Sequence, residues 1–188
     1  MSARDVQRVV AQPYAVRGIQ RSPQSHERVK FRCDGVVKIS HGEAMTGNDL
    51  TRFIAAQNSV LAQVSAELAD GRKRTHWMWF VFPQLAGLGH SPTAQRYAIT
   101  DLNHARCYLA DPVLGDRLRQ HVRLMLRHKD KTALSILGTP DDLKLRSSLT
   151  LFSAAASAPD DKRLFDDALS QFYAGAPDPH TLRLLGRL

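Results

Sequence analysis

Ten consecutive residues, Thr75-His76-Trp77-Met78-Trp79-Phe80-Val81-Phe82-Pro83-Gln84, carry both tryptophans of this chain and two of its seven phenylalanines. Such a block either plugs a core, because large rings bury well and dominate packing, or walls a ligand pocket, which is mostly apolar with a few placed polar groups. In the second case Trp77 and Trp79 form the wall and His76 and Gln84 stand at its two ends. His76 is then the candidate general acid or base. A lone histidine beside tryptophan also serves simply as a hydrogen-bonded structural residue.

Two further segments could meet an anion. In Gly87-Leu88-Gly89-His90-Ser91-Pro92 the glycines, Gly89 in particular, would let a phosphate or carboxylate reach the backbone, and Ser91 caps a helix start. The pattern is neither a dinucleotide fingerprint nor a P-loop, and a tight loop with a serine cap explains it equally well. In Lys144-Leu145-Arg146-Ser147-Ser148-Leu149-Thr150 the lysine and Ser148 share a helix face, with Ser147 between them in angle. A nucleophilic Ser–Lys pair needs a desolvated, neutral lysine, and the usual order is the reverse. The hydroxyls of Ser147, Ser148 and Thr150 can bond the carbonyl one turn earlier. The intermediate reading is that they and Lys144 donate to a bound anion, with Lys144 supplying electrostatic stabilisation if chemistry occurs.

Gln57 falls on an apolar helical stripe, four residues after Phe53 and four before Leu61. A buried amide needs partners at both ends, and Ser147, Tyr97 and His76 are the candidates. Eight histidines are present, but there is no H-E-x-x-H and no Cys/His pair at zinc spacing, so no metal and no cofactor is expected. Arg119, Arg123 and Arg127 line one helix row, which either faces solvent or meets phosphates.

These residues have to be positioned by helices. Asn48 or Asp49 opens a helix running to about Asp70, with Gly71 as its stop and Leu50, Phe53, Ile54, Leu61, Val64 and Leu68 as its stripe. Ser91-Pro92, Asp111-Pro112, Thr139-Pro140 and Asp178-Pro179 each pair a cap with a proline, and the third approximates a capping box. The helix from Ser91 is expected to reach Ile99. Asp101 and Asp160 or Asp161 open two more, and a short helix covers residues 133–137. The expectation is an all-α, compact, single-domain array of about seven helices with short capped connections.

The 188 residues are 43% hydrophobic and 23% charged, enough for one core, and no apolar run approaches the length of a membrane span. The charge of +8 is uneven: residues 1–46 hold eight Lys/Arg against four Asp/Glu, the rest eighteen against fourteen. Residues 1–46 read as a disordered basic extension, or as an over-long gene start with Met45 the true one, and residues 47–188 as the domain. Cys33 and Cys107 lack any secreted-type spacing, which points to the cytoplasm.

The block at residues 75–84, Gly87-Leu88-Gly89-x-Ser91, Tyr97-Ala98-Ile99, Tyr108-Leu109, Pro112-x-Leu114-Gly115-x-Arg117-Leu118, and the run from Asp141 to Phe152 together resemble the bacterial domain-of-unknown-function family 1810 from about Leu50 to Leu185. Thr75, Leu137 and Leu149 stand where that family usually has Ser, Phe and Met. The resemblance implies a small all-helical domain whose recurring polar set includes His76, Gln84, Ser91, Tyr97, Lys144, Ser147, Ser148 and Thr150. It implies no activity. Members are sometimes called calpastatin, but the eukaryotic inhibitors of that name use extended disordered repeats, unlike this non-repetitive body.

The functional expectation is a polar cleft beside residues 77–82 that binds a small anionic ligand of nucleotide, sugar-phosphate or carboxylate type, with hydrolysis as an open extension. Gln57, Trp77, Trp79, Gln84, Gly89, Ser91, Tyr97, Ser147, Ser148 and Thr150 would touch the ligand. One alternative is a protein-interaction or regulatory module whose polar residues are structural. Another is weak nucleic-acid binding through the arginine row and the basic leader.

Overall fold

The computed structural model describes residues 49–187, so the expectations for the leader, Cys33 and an Asn48 cap fall outside the described residues. Ten helices follow in order: α1 (Thr51–Asn58), α2 (Leu61–Asp70), α3 (Met78–Val81), α4 (Pro92–Arg96), α5 (Leu102–Ala110), α6 (Leu114–Leu126), α7 (Ala133–Leu137), α8 (Asp141–Ala155), α9 (Pro159–Tyr173) and α10 (Pro179–Leu184). The architecture is all-α. Its one strand-like feature among the described residues is a parallel bridge between Leu85 and Ile99.

Helix α8 is the axis. It packs against α5, α7, α9 and α10, and residues 147–152 are buried without interruption. A helix enclosed on all sides has no one-sided apolar stripe, so Ser147, Ser148 and Thr150 are inside by position. The core to which it contributes Phe152 also holds Phe53, Trp77, Phe82, Tyr108 and Phe165, all fully buried.

The caps read from the sequence mostly form. Ser91 Oγ accepts from Ala94 N (3.2 Å), an Asp101 carboxylate oxygen from His104 N (2.8 Å) and an Asp178 oxygen from Thr181 N (2.9 Å). Gly71 ends α2 with φ of 64°, a conformation that favours glycine. Four boundaries differ from expectation. The first predicted helix is two, α1 and α2, because the Ser59 hydroxyl bonds Ala56 O (3.1 Å) and Val60 leaves helical geometry. Helix α4 stops at Arg96 because Ile99 donates to Gln84 O (2.9 Å) and accepts from Ala86 N (2.8 Å). The capping box sits at Thr132 and Ser135 instead of Thr139. Asp160 and Asp161 lie within the first turn of α9, behind Pro159, where they favour the helix dipole.

Glu67 fixes the approach to α3. Its carboxylate, 3% exposed, accepts from Arg74 N (2.8 Å), Thr75 N (3.2 Å), Thr75 Oγ1 (2.7 Å) and Trp77 Nε1 (2.8 Å). Burial alone would raise its pKa, but these donors outweigh burial and bring it from 4.5 to about 2. The stability it contributes is complete above pH 4.5 and is lost as pH falls towards 2. Glu67→Gln is expected to cost about 2 kcal/mol at neutral pH, since an amide oxygen cannot satisfy four donors. In urea denaturation the gap between the variant and the parent closes on acidification through pH 4.5 to 2.

Two imidazoles are buried in the neutral form. His104 is fully buried, with Thr100 N donating to its Nδ1 (3.2 Å). His121, on α6, packs with its ring centre 6.3 Å from that of Phe82, and neither of its nitrogens has a hydrogen-bond partner among the described residues. Burial, then Arg52 for His104 and Arg117 for His121, lowers both from 6.5 to about 4. The unfolded chain therefore binds more protons below pH 6.5, and stability falls as pH drops from 6.5 towards 4. His121→Phe removes one such proton-binding difference. Its stability relative to the parent should be about 2 kcal/mol more favourable at pH 5 than at pH 7, measured by thermal or urea unfolding.

Candidate functional site

A cavity of about 830 Å³ opens where the 84–91 loop, α4, the start of α8 and the start of α10 meet. Trp79, on α3, forms part of its wall, and Leu88, Leu143, Pro140 and Pro179 add further apolar surface. Its polar lining comes from Gln84, His90, Ser91, Lys144, Arg146, Ser147, Asp178 and His180. Six residues singled out from the sequence thus line one space: Trp79, Gln84, Gly89, Ser91, Lys144 and Ser147.

Each element contributes for a local reason. The bridge between Leu85 and Ile99 pins the loop carrying residues 84–91. Gly89 lets that loop lie against α4: a β-carbon there would come within 2.5 Å of the Ala94 methyl carbon. Asp178 anchors α10 to α8. Its Oδ2 accepts from Thr181 N (2.9 Å), Thr181 Oγ1 (2.6 Å) and Ser147 Oγ (3.1 Å), and its own N–H donates to Thr150 Oγ1 (2.8 Å). Burial opposes charge on Asp178, but the bonds from Thr181 and Ser147 hold the carboxyl below its usual range.

The two lysines nearest the aromatic block are joined by one carboxylate. Asp141 Oδ2 pairs with Lys73 Nζ (2.8 Å) and Oδ1 with Lys144 Nζ (2.7 Å). Lys73 Nζ lies 5.2 Å from the Trp77 ring centre and Lys144 Nζ 4.8 Å from that of Trp79. Burial would raise the Asp141 pKa, but Lys144 and Lys73 together hold it below the ordinary value. Asp141 is therefore an ion-pair bridge as well as a first-turn acid. Arg146 is held differently: its Nε donates to Ala176 O (3.0 Å) and its guanidinium lies 5.8 Å from the Tyr173 ring centre.

Six residues expected at a cleft do not line this one. His76 is exposed, because Thr75 and Trp77 on either side of it both turn in to Glu67. Trp77 is core, 1% exposed, so the two tryptophans divide between the packing role and the wall. Gln57 is buried elsewhere. Its Nε2 donates to Phe80 O (2.7 Å) and Tyr108 Oη (3.0 Å), and its Oε1 accepts from Arg117 (3.3 Å), so none of the three anticipated partners is used. Tyr97 packs against Phe80 and Phe53, with ring centres 5.3 and 5.7 Å away. Ser148 is enclosed with its hydroxyl unpartnered. Thr150 bonds Arg146 O (2.8 Å) and the Asp178 amide and lines a separate hollow of about 260 Å³.

The arginine row is also divided. Arg119 is a strut between α6 and α9, bonded to both oxygens of Asp161 (2.6 and 2.8 Å), to Asp116 (3.1 Å) and to Leu109 O (3.1 Å). Only Arg123 and Arg127 remain exposed on that row.

Arg146, His90, His180 and Asp178 were not singled out beforehand. Arg146 and His90 lie inside the two motifs already recognised, two residues after Lys144 and one before Ser91. His180 joins them only because α10 docks on α8, which no local pattern announces. Among the described residues no group of three or more His, Cys, Asp or Glu is arranged to hold a metal ion, and no helix is long and apolar enough to cross a membrane.

Comparison with known proteins agrees with this architecture. The crystal structure of the conserved hypothetical protein Rv1873 from Mycobacterium tuberculosis is similar, with 47% sequence identity and a TM-score of 0.71, over 73% of this chain and 96% of that one. No curated protein matches. The sequence profile of the family described as "Protein of unknown function (DUF1810)" matches residues 47–185. The chain, whose helices, capped starts and aromatic block fall within that span, belongs to the DUF1810 family.

Proposed function

We propose that the cavity beside Trp79 binds a small anionic ligand. One observation carries this reading: two cations of α8, Lys144 and Arg146, open on the same space as His90, His180 and the Gln84 amide, with an indole for a wall. A ligand site joins apolar wall to polar groups that fix orientation, and this cavity joins Trp79, Leu88, Leu143, Pro140 and Pro179 to a larger set of polar and charged side chains. Its volume of about 830 Å³ also suits a molecule larger than a bare ion.

The reading is one of binding. Hydrolysis was tied to His76, which is exposed outside the cavity. Ser91 Oγ is engaged in a helix cap, and Ser147 Oγ donates to an Asp178 oxygen that also holds Thr181, so neither hydroxyl is paired with a histidine or lysine. Lys144 is ion-paired to Asp141 and lies over the Trp79 indole, which fits the role of an electrostatic partner. A cytoplasmic setting accords with the two cysteines and their lack of secreted-type spacing.

The test is thermal unfolding of the full chain against a panel of nucleotides, sugar phosphates and carboxylates. A ligand at a hundred times its Kd stabilises by about 2.7 kcal/mol, a rise of about 5–10 °C in Tm for a domain of this size. The expected result is at least one stabilising anion, with its effect abolished in Lys144→Ala/Arg146→Gln. A panel without any stabilising member, or one whose effect survives that double substitution, overturns the proposal.

A further inference from the structure

Resting on the anion-site reading, we propose that the ligand is of the nucleoside monophosphate class, with the phosphate on Arg146 and the base against Trp79 and Gln84. The argument turns on which groups in the cavity the protein already uses. Lys144 is committed to Asp141 and to the Trp79 face. Arg146 is not: only its Nε is bonded, to Ala176 O, and neither terminal nitrogen has a hydrogen bond or ion pair among the described residues. Its guanidinium is also held in place over Tyr173, whose hydroxyl is tied to Asp142 O (2.6 Å). A fixed guanidinium with two unused nitrogens suits the oxygens of a phosphate.

A phosphate alone leaves the rest of the cavity unexplained. Trp79 is only partly buried, and Leu143 is 57% exposed although it is a large apolar side chain. Apolar surface facing water at the mouth of a charged cavity is surface that a flat ring would cover. A sugar phosphate offers no such ring. The Gln84 side-chain amide, five residues from Trp79, makes no hydrogen bond among the described residues. It presents a donor and an acceptor side by side, the pattern that pairs with the N6/N7 edge of adenine. Arg146, Gln84 and the apolar pair Trp79 and Leu143 belong to one lining, and a molecule with an anion at one end and a heterocycle at the other meets all of them, its ring covering the exposed Leu143 and the part of Trp79 that Lys144 Nζ does not cover.

Calorimetric titration of the full chain with AMP, adenosine, ribose 5-phosphate and inorganic phosphate tests this. AMP is expected to bind at least tenfold more tightly than any of the other three. Arg146→Gln should weaken AMP at least tenfold and leave adenosine unchanged. Gln84→Ala should reduce the advantage of AMP over ribose 5-phosphate at least threefold; its side chain has no protein partner, so that variant folds. Trp79→Leu should act in the same direction. If ribose 5-phosphate and phosphate bind as tightly as AMP and all three are lost in Arg146→Gln, the base assignment falls and the anion site stands. If none of the four binds at millimolar concentration, the nucleotide proposal falls, and the wider panel above decides the anion reading separately.

Discussion

A carboxylate withdrawn from water must be supplied with donors, and the answer to that demand at Glu67 organises the neighbourhood of the cavity. Four donors from residues 74–77 converge on it. Because Thr75 and Trp77 turn towards the carboxylate, His76 faces out, and α3 starts with Trp77 locked in the core. The one-turn helix then carries Trp79 to the cavity wall. Asp141 adds a second constraint from the opposite side. By pairing with both Lys73 and Lys144 it ties the segment before α3 to the first turn of α8, with each ammonium near an indole. Neither contact is a surface ion pair of the kind worth little: the side chains are 10–22% exposed.

Polar residues in this protein divide into those that hold the helices together and those left available. Ser147, Thr150 and Asp178 form one buried joint between α8 and α10, and Gln57, Tyr108 and Arg117 form another between α1, α5 and α6. Removing a member of either joint would leave a buried group without a partner, which is costly. The unbonded side chains of the cavity follow a different logic. Beside His180, which interacts there with the charge of Asp178, Gln84 and His90 line it with no hydrogen bond among the described residues, at little energetic expense while water reaches them. Such groups add nothing to folding, and this separates a binding surface from a packing one.

How much could be read from the chain itself follows from the same division. Cap-plus-proline starts at residues 91–92 and 178–179 are local chemistry, and they appear where the sequence places them. The all-α class follows from them. Gln57 was recognisable as a buried amide because it interrupts an apolar stripe, yet its partners come from α3, α5 and α6, and spacing along one helix contains nothing about those. Glu67 carries the same kind of signal, three residues after Val64 and one before Leu68, but a glutamate beside Asp70 and Arg72 has the same local pattern as part of a solvated face. Helix α8 hid its role for the opposite reason. Buried without interruption from residue 147 to 152, it has no stripe to read there, so its hydroxyls resemble a functional row when most of them are interior joints.

The placement of charge gives the cavity a direction. Lys144 shares Asp141 with Lys73, and its contacts with that carboxylate and with Trp79 leave it little freedom to follow a ligand. Arg146 sits two residues further along α8, about 200° around the helix axis and about 3 Å along it, with no carboxylate paired to it among the described residues. Asp178 is the other acid in the lining, and three donors already occupy its Oδ2. The guanidinium free of a paired carboxylate is therefore that of Arg146, and the apolar wall and the unpaired amide lie on other elements of the same lining. A ligand with its charge and its apolar surface at opposite ends has one favourable orientation in such a space. A symmetric anion has none, and could use only the part of the cavity nearest the arginine.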